Sequence, residues 1–263
     1  MMNKSIIFFD IDGTILTSSY SVPASASAAI SKARQNGHIC IINTGRPYSH
    51  IEPIVKEIGF DGYICSCGQH ILLDGETKFY TAPSPDLCRE VVRRVRSCQL
   101  DVIFEANAGI WFDYSRPFRC EIQETLSHFS YRGFCVDENI DEKNFCFEKF
   151  CVFTNPNSNF SDFCSWVSSY FSIIDRGNDL YELVLRGCSK ETGIQFVANY
   201  FEISTGDCLA IGDSTNDLPM FRSVGHSIAM GNAPASVKEA AEYVTRPITQ
   251  DGLAYALQHY GLE

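Results

Sequence analysis

Apolar runs and helical segments alternate along the first part of the chain, and this alternation constrains the fold more than any other feature. Ile6–Phe9 is continuously apolar, as expected for a strand that is buried on both faces. Gly37 ends an alanine-rich helical segment, and Pro47 fits the first turn of another helix. The expected segments are, in chain order, a strand at 6–9, a helix at 24–36, a strand at 38–42, a helix at 47–58 and a strand at 63–65. This order predicts an α/β fold with a doubly wound, Rossmann-like parallel sheet.

The alternation stops near residue 82 and returns near residue 190. Between these points Pro83 and Pro85 interrupt the chain, and strands and helices follow without a regular order. The segments expected there are helices at 86–98 and 160–170 and strands at 102–106, 110–114, 149–153 and 181–185. Beyond them we expect helices at 190–201, 217–222 and 251–260 and strands at 207–211 and 227–229. We therefore predict a core formed by residues 1–82 and 188–263, with an inserted α+β domain at 83–187.

The charge of the chain argues against several classes of partner. The 263 residues carry a formal net charge of −11, which disfavours binding to nucleic acid or to an anionic membrane surface. No stretch approaches the roughly 18 apolar residues that a membrane span requires, and the start of the sequence does not resemble a secretory signal. We therefore expect a cytoplasmic protein whose 12 cysteines are reduced. The oligomeric state cannot be read from the sequence.

Two cysteines lie close together in Cys65-Ser66-Cys67. Zinc-binding pairs usually have two to four residues between the cysteines and recur with a second pair, and this motif has neither property. We therefore expect Cys65 and Cys67 to be small, half-buried residues beside a strand rather than a metal or redox site.

Three polar clusters follow the expected core strands. They are Asp10-Ile11-Asp12-Gly13-Thr14, Thr44-Gly45-Arg46 and Gly212-Asp213-Ser214-Thr215-Asn216-Asp217. The carboxyl ends of parallel strands meet at one edge of the sheet, where open α/β sheets bind their ligands. Residues about two hundred positions apart can therefore form a single site.

The carboxylates of these clusters suit a hard cation. Asp10 and Asp12 are two residues apart, so their side chains can face the same way, and Asp213 and Asp217 add further oxygens. Mg²⁺ favours a few carboxylates together with water and substrate phosphate. A carboxylate can then attack phosphorus, and a neighbouring carboxylic acid can protonate the leaving alcohol. Thr44 and Lys190 are candidates for contacts with the phosphoryl oxygens.

Taken together, the motifs resemble those of the haloacid dehalogenase superfamily. The resemblance rests on Asp-Ile-Asp-Gly-Thr after a strand, Thr-Gly-Arg, a lone Lys190 that opens a helix, and Gly-Asp-Ser-Thr-Asn-Asp. The order and spacing are similar to the Cof-type phosphatases, which carry a large α/β cap between the second and third motifs. The segments 229–233 and 251–252 also look like late core loops of that family. The resemblance implies a Mg²⁺-dependent phosphatase that acts on small phosphorylated metabolites, with sugar phosphates as the first candidates. The position of the inserted domain between Thr44 and Lys190 predicts that it acts as a lid.

The resemblance also implies roles for the acidic residues. Asp10 would be the nucleophile and a Mg²⁺ ligand. Asp12 would be the general acid and base, and its backbone carbonyl would also reach the metal. Asp213 would be a metal ligand, and Asp217 would bind the metal directly or through water.

The remaining motif residues would bind the substrate. Thr44 would hydrogen-bond the phosphoryl group, Lys190 would neutralise it, and both are counted as catalytic. Asn216 would orient the phosphate or Lys190, and Gly45 and Arg46 complete the candidate substrate-binding set. For Arg46, a salt bridge and a substrate contact remain equally open.

Each motif residue also has a purely structural interpretation. The aspartates can stabilise turns or open a helix, Thr44 can serve as a helix-entry residue, and Lys190 can cover a surface helix. Two positions depart from the family pattern: Glu191 stands where the family usually has glycine, and Cys67-Gly68 stands where it usually has Asn-Gly. Neither departure removes a catalytic group.

Two other functions use the same residues. One is a regulatory protein that binds phospho-ligands without turnover, and the complete set of catalytic groups argues against it. The other is a phosphomutase, which passes the phosphoryl group to a second sugar hydroxyl. Analysis of the products distinguishes a phosphomutase from a hydrolase.

Overall fold

The computed structural model describes residues 4–115, 120–134, 136–137, 140–141 and 145–263. The chain divides into two compact units, one formed by residues 1–80 and 188–263 and the other by residues 81–187. The first boundary follows Tyr80, slightly before the position expected from the prolines. Within the described ranges, no helix combines the length and the apolar character that crossing a membrane would require.

The described strands are, in chain order, β1 (Ile6–Phe9), β2 (Ile39–Asn43), β3 (Gly62–Cys65), β4 (His70–Leu73), β5 (Glu76–Tyr80), β6 (Asp101–Ala106), β7 (Gly109–Phe112), β8 (Val136–Asp137), β9 (Lys149–Phe153), β10 (Phe171–Gly177), β11 (Leu180–Leu185), β12 (Leu209–Gly212), β13 (His226–Ala229) and β14 (Tyr243–Val244).

The described α-helices are α1 (Ala24–Gln35), α2 (Pro53–Lys56), α3 (Pro85–Ser97), α4 (Cys120–Tyr131), α5 (Phe160–Val167), α6 (Lys190–Tyr200), α7 (Leu218–Arg222), α8 (Ala235–Ala240) and α9 (Gly252–His259). Short 3₁₀ turns occur at Tyr48–His50, Ser66–Gly68, Thr205–Asp207, Thr215–Asp217 and Ile248–Gln250.

The first unit is built on an eight-stranded sheet with the order β14-β13-β12-β1-β2-β3-β4-β5. The six strands from β14 to β3 run parallel to one another. β1 and β2 are completely buried, because apolar clusters pack on both faces of the sheet. This architecture confirms the α/β fold expected from the alternation of strands and helices.

β4 and β5 form an antiparallel hairpin at one end of this sheet, and the sequence analysis did not foresee it. The hairpin turns at Asp74 and Gly75, which both have positive φ angles. An Asp-Gly pair between two strand-like runs is a strong hairpin signal, because both residues tolerate the left-handed conformation. That signal was present in the sequence and was overlooked.

The helix expected at 47–58 is much shorter in the structure. The 3₁₀ turn Tyr48–His50 comes first, and α2 begins only at Pro53. Proline cannot donate a backbone hydrogen bond, and it disfavours helical geometry in the residue before it. Pro53 therefore starts a new helix instead of continuing the first.

The second unit contains a six-stranded sheet with the order β10-β11-β9-β6-β7-β8. Its strands pair antiparallel, except that β7 and β8 are parallel. An aromatic cluster that includes Phe104, Phe147, Phe150 and Phe171 fills its main core. α4 and β10 had not been expected from the sequence. The mixture of helices with a largely antiparallel sheet matches the α+β character expected for this region.

Cys65 and Cys67 are more buried than expected. Their side chains are 0% and 2% exposed, and both are free thiols. Cys65 is the last residue of β3 and Cys67 lies in the turn that follows it, so both are packed residues, although half-buried understated their burial.

Candidate active site

Three neighbouring strands of the first unit deliver the predicted polar residues to one edge of the sheet. β1 lies between β12 and β2, and its last residue, Phe9, is in register with Ile211 and Ile42. Asp10 follows β1, Thr44 follows β2 and Asp213 follows β12. Since all three strands are parallel, the chain leaves them at the same edge, as the sequence predicted.

Three of the predicted carboxylates meet at this edge. One oxygen from each of Asp10, Asp213 and Asp217 lies within 4.8 Å of the others. Asp217 is fully buried, and its Oδ2 accepts hydrogen bonds from the backbone N–H groups of Asp213 and Ser214, both at 2.9 Å. The turn that carries Asp213 thus fixes the carboxylate of Asp217. Three converging carboxylates are a donor set that fits a small, hard cation.

Lys190 places a buried positive charge beside the carboxylates. It is the first residue of α6, and Ser189 and Thr192 cap this helix with reciprocal hydrogen bonds of 2.9 and 3.1 Å. The Lys190 side chain is almost completely buried, and its Nζ donates to Oδ1 of Asp10 and to Oδ1 of Asp217, both at 2.6 Å. The alternative in which Lys190 covers a surface helix is therefore wrong.

The electrostatics of the cluster are dominated by an excess of buried carboxylates. Burial, together with the charge of Asp217, raises the pKa of Asp10 to about 8, although Lys190 opposes this shift. Burial and the charge of Asp217 also raise the pKa of Asp213 to about 7. Burial disfavours the charge on Lys190, but Asp10 and Asp217 outweigh this effect and raise its pKa. One lysine therefore does not neutralise the cluster, and an additional cation would stabilise the ionised carboxylates.

The side chain of Asp12 binds Arg46, whereas Asp10 and Asp217 bind Lys190. Arg46 donates from Nε to Oδ2 of Asp12 at 2.8 Å and from Nη2 to Oδ1 of Asp12, which gives a two-pronged ion pair. Nη1 of Arg46 also donates to Oε2 of Glu52 at 2.6 Å and to the carbonyl of His50 at 3.0 Å. The structure therefore shows the salt bridge that was one of the two interpretations of Arg46. The Asp12 side chain is 59% exposed, which leaves it accessible to a reactant.

The other predicted residues lie in the same loops. Thr44 is buried, and its Oγ1 accepts a hydrogen bond from the N–H of Arg46 at 3.2 Å, with Gly45 between them in the turn. Asn216 is half-buried, and its Oδ1 accepts a hydrogen bond from the hydroxyl of Ser214. The contacts of Asn216 therefore fix the turn after β12.

Asn43 is a residue of this region that the sequence analysis missed. It is the last residue of β2, it is completely buried, and its Nδ2 donates to the backbone carbonyl of Lys190 at 3.0 Å. This bond ties the end of β2 to the first turn of α6 and helps to place the lysine. A polar residue at the end of an otherwise apolar strand was the available signal.

Comparison with known proteins assigns the family. The model of the haloacid dehalogenase-like hydrolase family matches residues 7–257. The chain therefore belongs to the haloacid dehalogenase-like hydrolases, as the motifs indicated.

Several relatives are named as phosphatases. The chain is 29% identical to the putative phosphatase YkrA of Bacillus subtilis (strain 168) over 280 residues, which covers 99% of each chain. It is 27% identical to the HMP-PP phosphatase of Yersinia enterocolitica over 276 residues, which covers 96% of this chain and 93% of the relative.

The fold also agrees with solved structures. BT1666 from Bacteroides thetaiotaomicron, described among phosphatases of this superfamily, superposes with a TM-score of 0.85 at 25% identity, covering 99% of this chain and 96% of that one. The subclass IIB sugar phosphatase BT4131 superposes with a TM-score of 0.83 at 23% identity, covering 99% of this chain and all of that one, which supports the shared fold.

Proposed function

We propose that this protein is a Mg²⁺-dependent phosphatase that hydrolyses small phosphorylated metabolites through an aspartyl-phosphate on Asp10. The observation that carries the proposal is the convergence of Asp10, Asp213 and Asp217, with the buried ammonium of Lys190 bound to the first and the last of them. This group combines a nucleophile, a set of metal ligands and a fixed positive charge in one place.

The residues divide the chemistry as follows. Lys190 holds Oδ1 of Asp10, so the second carboxylate oxygen is the one that attacks phosphorus. As the new Asp10–phosphorus bond forms, the bond to the leaving oxygen breaks, and Asp12 donates a proton to that oxygen. In the second step Asp12 accepts a proton from water, the water oxygen attacks phosphorus, and inorganic phosphate leaves Asp10 as a free carboxylate.

The metal ligands of the proposal are Asp10, Asp213 and Asp217, with Asp12 contributing through its backbone carbonyl. Their fit to Mg²⁺ follows from the number of carboxylate oxygens and from the raised pKa values of Asp10 and Asp213. When bound, Mg²⁺ would supply positive charge that keeps Asp10 ionised and offsets the charge of the phosphoryl group.

In this proposal Thr44 and Lys190 bind the phosphoryl group of the substrate. Gly45, Arg46 and Asn216 lie in the surrounding loops and complete the substrate-binding set. Lys190 provides a cation that stabilises the equatorial oxygens, and Thr44 lies at the end of the neighbouring strand. Sugar phosphates are the first expected substrates, and the relatives named HMP-PP phosphatases add HMP-PP to the panel. The role of residues 83–187 in selecting the leaving group stays a prediction.

The test measures inorganic phosphate released from a panel of phosphomonoesters with and without Mg²⁺. The parent protein should release phosphate only with Mg²⁺, and Asp10→Asn should reduce kcat by at least roughly 10⁴-fold because it removes the nucleophile. Asp207→Asn is the matched control, since Asp207 is exposed in the same unit and lies in the turn before β12. Full activity of Asp10→Asn would rule out the proposed nucleophile. Tight binding of phospho-ligands without release would favour the regulatory protein, and transfer to a sugar hydroxyl would favour the phosphomutase.

A further inference from the structure

Asn232 joins three separate segments around the carboxylate cluster. It lies in the loop after β13, and its Nδ2 donates to the backbone carbonyl of Gly13 at 2.9 Å and to Oδ2 of Asp213 at 3.2 Å. Its Oδ1 accepts a hydrogen bond from the N–H of Ile248 at 2.9 Å. One amide group thus connects the loop after β1, the loop after β12 and the turn at Ile248–Gln250.

The loop that carries Asn232 is itself held by backbone hydrogen bonds. The N–H of Met230 donates to Gly212 at 2.9 Å, and the N–H of Gly231 donates to Arg246 at 3.0 Å. Because the backbone is fixed on both sides, Asn232 presents its amide from a defined position. An exposed side chain with three such bonds has a more restricted geometry than its exposure alone would indicate.

The contact that Asn232 bridges is unusually close. A Cβ atom placed on residue 13 would lie 2.0 Å from Oδ2 of Asp213, and residue 13 has a φ angle of +74°. Only glycine allows the Asp213 carboxylate to lie against the loop after β1 in this way. The two N–H groups of the Asn232 amide then bind both sides of this contact.

We propose that Asn232 is a positioning residue that fixes the Asp213 carboxylate in the orientation needed to bind a divalent cation. The inference rests on the proposed function, since it assigns Asp213 to the metal. A neutral amide suits this task, because it orders the carboxylate through a hydrogen bond while leaving its negative charge for the cation. Partners that orient metal ligands in this way typically change metal affinity by about 10- to 100-fold when they are removed.

The experiment measures binding of Mg²⁺ alone to the full chain by calorimetry, with no substrate present. Asn232→Ala should weaken Mg²⁺ binding by about 10-fold or more, and raising the Mg²⁺ concentration should restore much of kcat. Asn155→Ala is the matched control, because Asn155 also donates to one backbone carbonyl and accepts from one backbone N–H, but lies in the second unit. The control should bind Mg²⁺ like the parent.

Unchanged Mg²⁺ affinity in a folded Asn232→Ala variant would overturn the inference while leaving the proposed function intact. Mg²⁺ binding without phosphate release in the parent would instead contradict the proposed function alone, and a parent that does not bind Mg²⁺ would contradict both. If the variant does not fold, the side-chain amide of Asn232 in the parent is followed by ¹⁵N NMR during a Mg²⁺ titration. A shift of that resonance at the same concentrations as binding supports the role, and an unchanged resonance overturns it.

Discussion

Both compact units bury a lysine between two carboxylates, yet the two clusters have opposite electrostatic character. In the first unit Lys190 donates to Asp10 and Asp217, both at 2.6 Å. In the second unit Lys149 lies 2.7 Å from Glu182 and 3.2 Å from Glu105. All three partners in each group are largely buried, so burial and pairing alone do not tell the two clusters apart.

The difference lies in the charges around each pair. In the first unit burial, followed by the charge of Asp217, raises the pKa values of Asp10 and Asp213 to about 8 and about 7, and Asp213 adds a further carboxylate to the pair. In the second unit Arg176 approaches Glu182 to 3.9 Å. Burial would raise the pKa of Glu182, but the charges of Lys149 and Arg176 outweigh this effect and lower it. The first cluster has more carboxylates than cations, so it can accept another cation. In the second cluster two carboxylates contact two cations.

This contrast shows which kind of buried charge marks a chemical site. Carboxylates whose pKa values are raised by burial and by neighbouring carboxylates are typical of metal-binding and catalytic positions. A paired cluster with a lowered pKa is more typical of a structural ion pair.

Replacing each lysine with methionine should separate the two clusters most clearly. Lys190→Met should lower kcat/KM by about 10²- to 10³-fold, because it removes a cation beside the phosphoryl group. Lys149→Met should instead lower the free energy of unfolding by about 3–5 kcal/mol, because it leaves buried carboxylates without their main partner. Phosphate release and urea denaturation of both variants give the comparison. Loss of activity from Lys149→Met at unchanged stability would show that the second cluster also takes part in the chemistry.

Stability should depend on pH and Mg²⁺ together. Because the pKa of Asp10 rises from 3.8 to about 8, its contribution to stability in metal-free protein is complete below about pH 3.8 and is lost as the pH rises through 8. The contribution of Asp213 to stability is likewise complete below about pH 3.8 and is lost as the pH rises through 7. Mg²⁺ competes with these protons. For each proton that binding releases, the affinity for Mg²⁺ should therefore rise by up to about 10-fold per pH unit. Thermal unfolding with and without Mg²⁺ at pH 6 and pH 9 should show the larger stabilisation at pH 9. Equal stabilisation at both pH values would contradict the assignment of these carboxylates to the metal.

The two units also differ in how their left-handed turns are built, and this gives the smallest effect. In the second unit Asn178 and Asp179 have φ angles of 53° and 60° at an exposed turn. In the first unit Ser66 and Cys67 have φ angles of 49° and 53° in a buried turn beside Thr44. Asparagine tolerates this conformation better than cysteine, because its short polar side chain can hydrogen-bond to the local backbone. Cys67→Asn should therefore raise the free energy of unfolding by up to about 1 kcal/mol in urea denaturation. A decrease would show that packing of the Cys67 side chain matters more than backbone strain.

The sequence predicted those parts of the fold that depend on local signals. β1 and β9 agree with the structure residue for residue, because each is a short strand with clear boundaries. The helix expected at 47–58 was wrong because the second proline, Pro53, was not weighed. The hairpin of β4 and β5 was missed although its Asp-Gly turn was visible.

The candidate site also contains features that the sequence could predict and features that it could not. The convergence of Asp10, Thr44 and Asp213 could be predicted, because parallel strands end at the same edge of a sheet. The contacts of Asn43 and Asn232 could not, since their partners lie 147 and 219 residues away along the chain. Hydrogen bonds at that separation depend on the packed geometry of several loops. A salt bridge of Arg46 was one of two open interpretations, and the structure shows such a bridge with Asp12, a partner that the sequence did not indicate.

The position of β1 in the middle of its sheet has a consequence for synthesis on the ribosome. Ile7 of β1 is in register with Leu209 of β12, so one of its neighbours is made about 200 residues later. At the usual 5–20 residues per second, that delay is roughly 10–40 s. Residues 81–187 are contiguous and can complete their own core during this interval. The fully buried apolar run Ile6–Phe9 must meanwhile remain without one of its partners, and unpaired apolar strands of this kind make a nascent chain prone to aggregation.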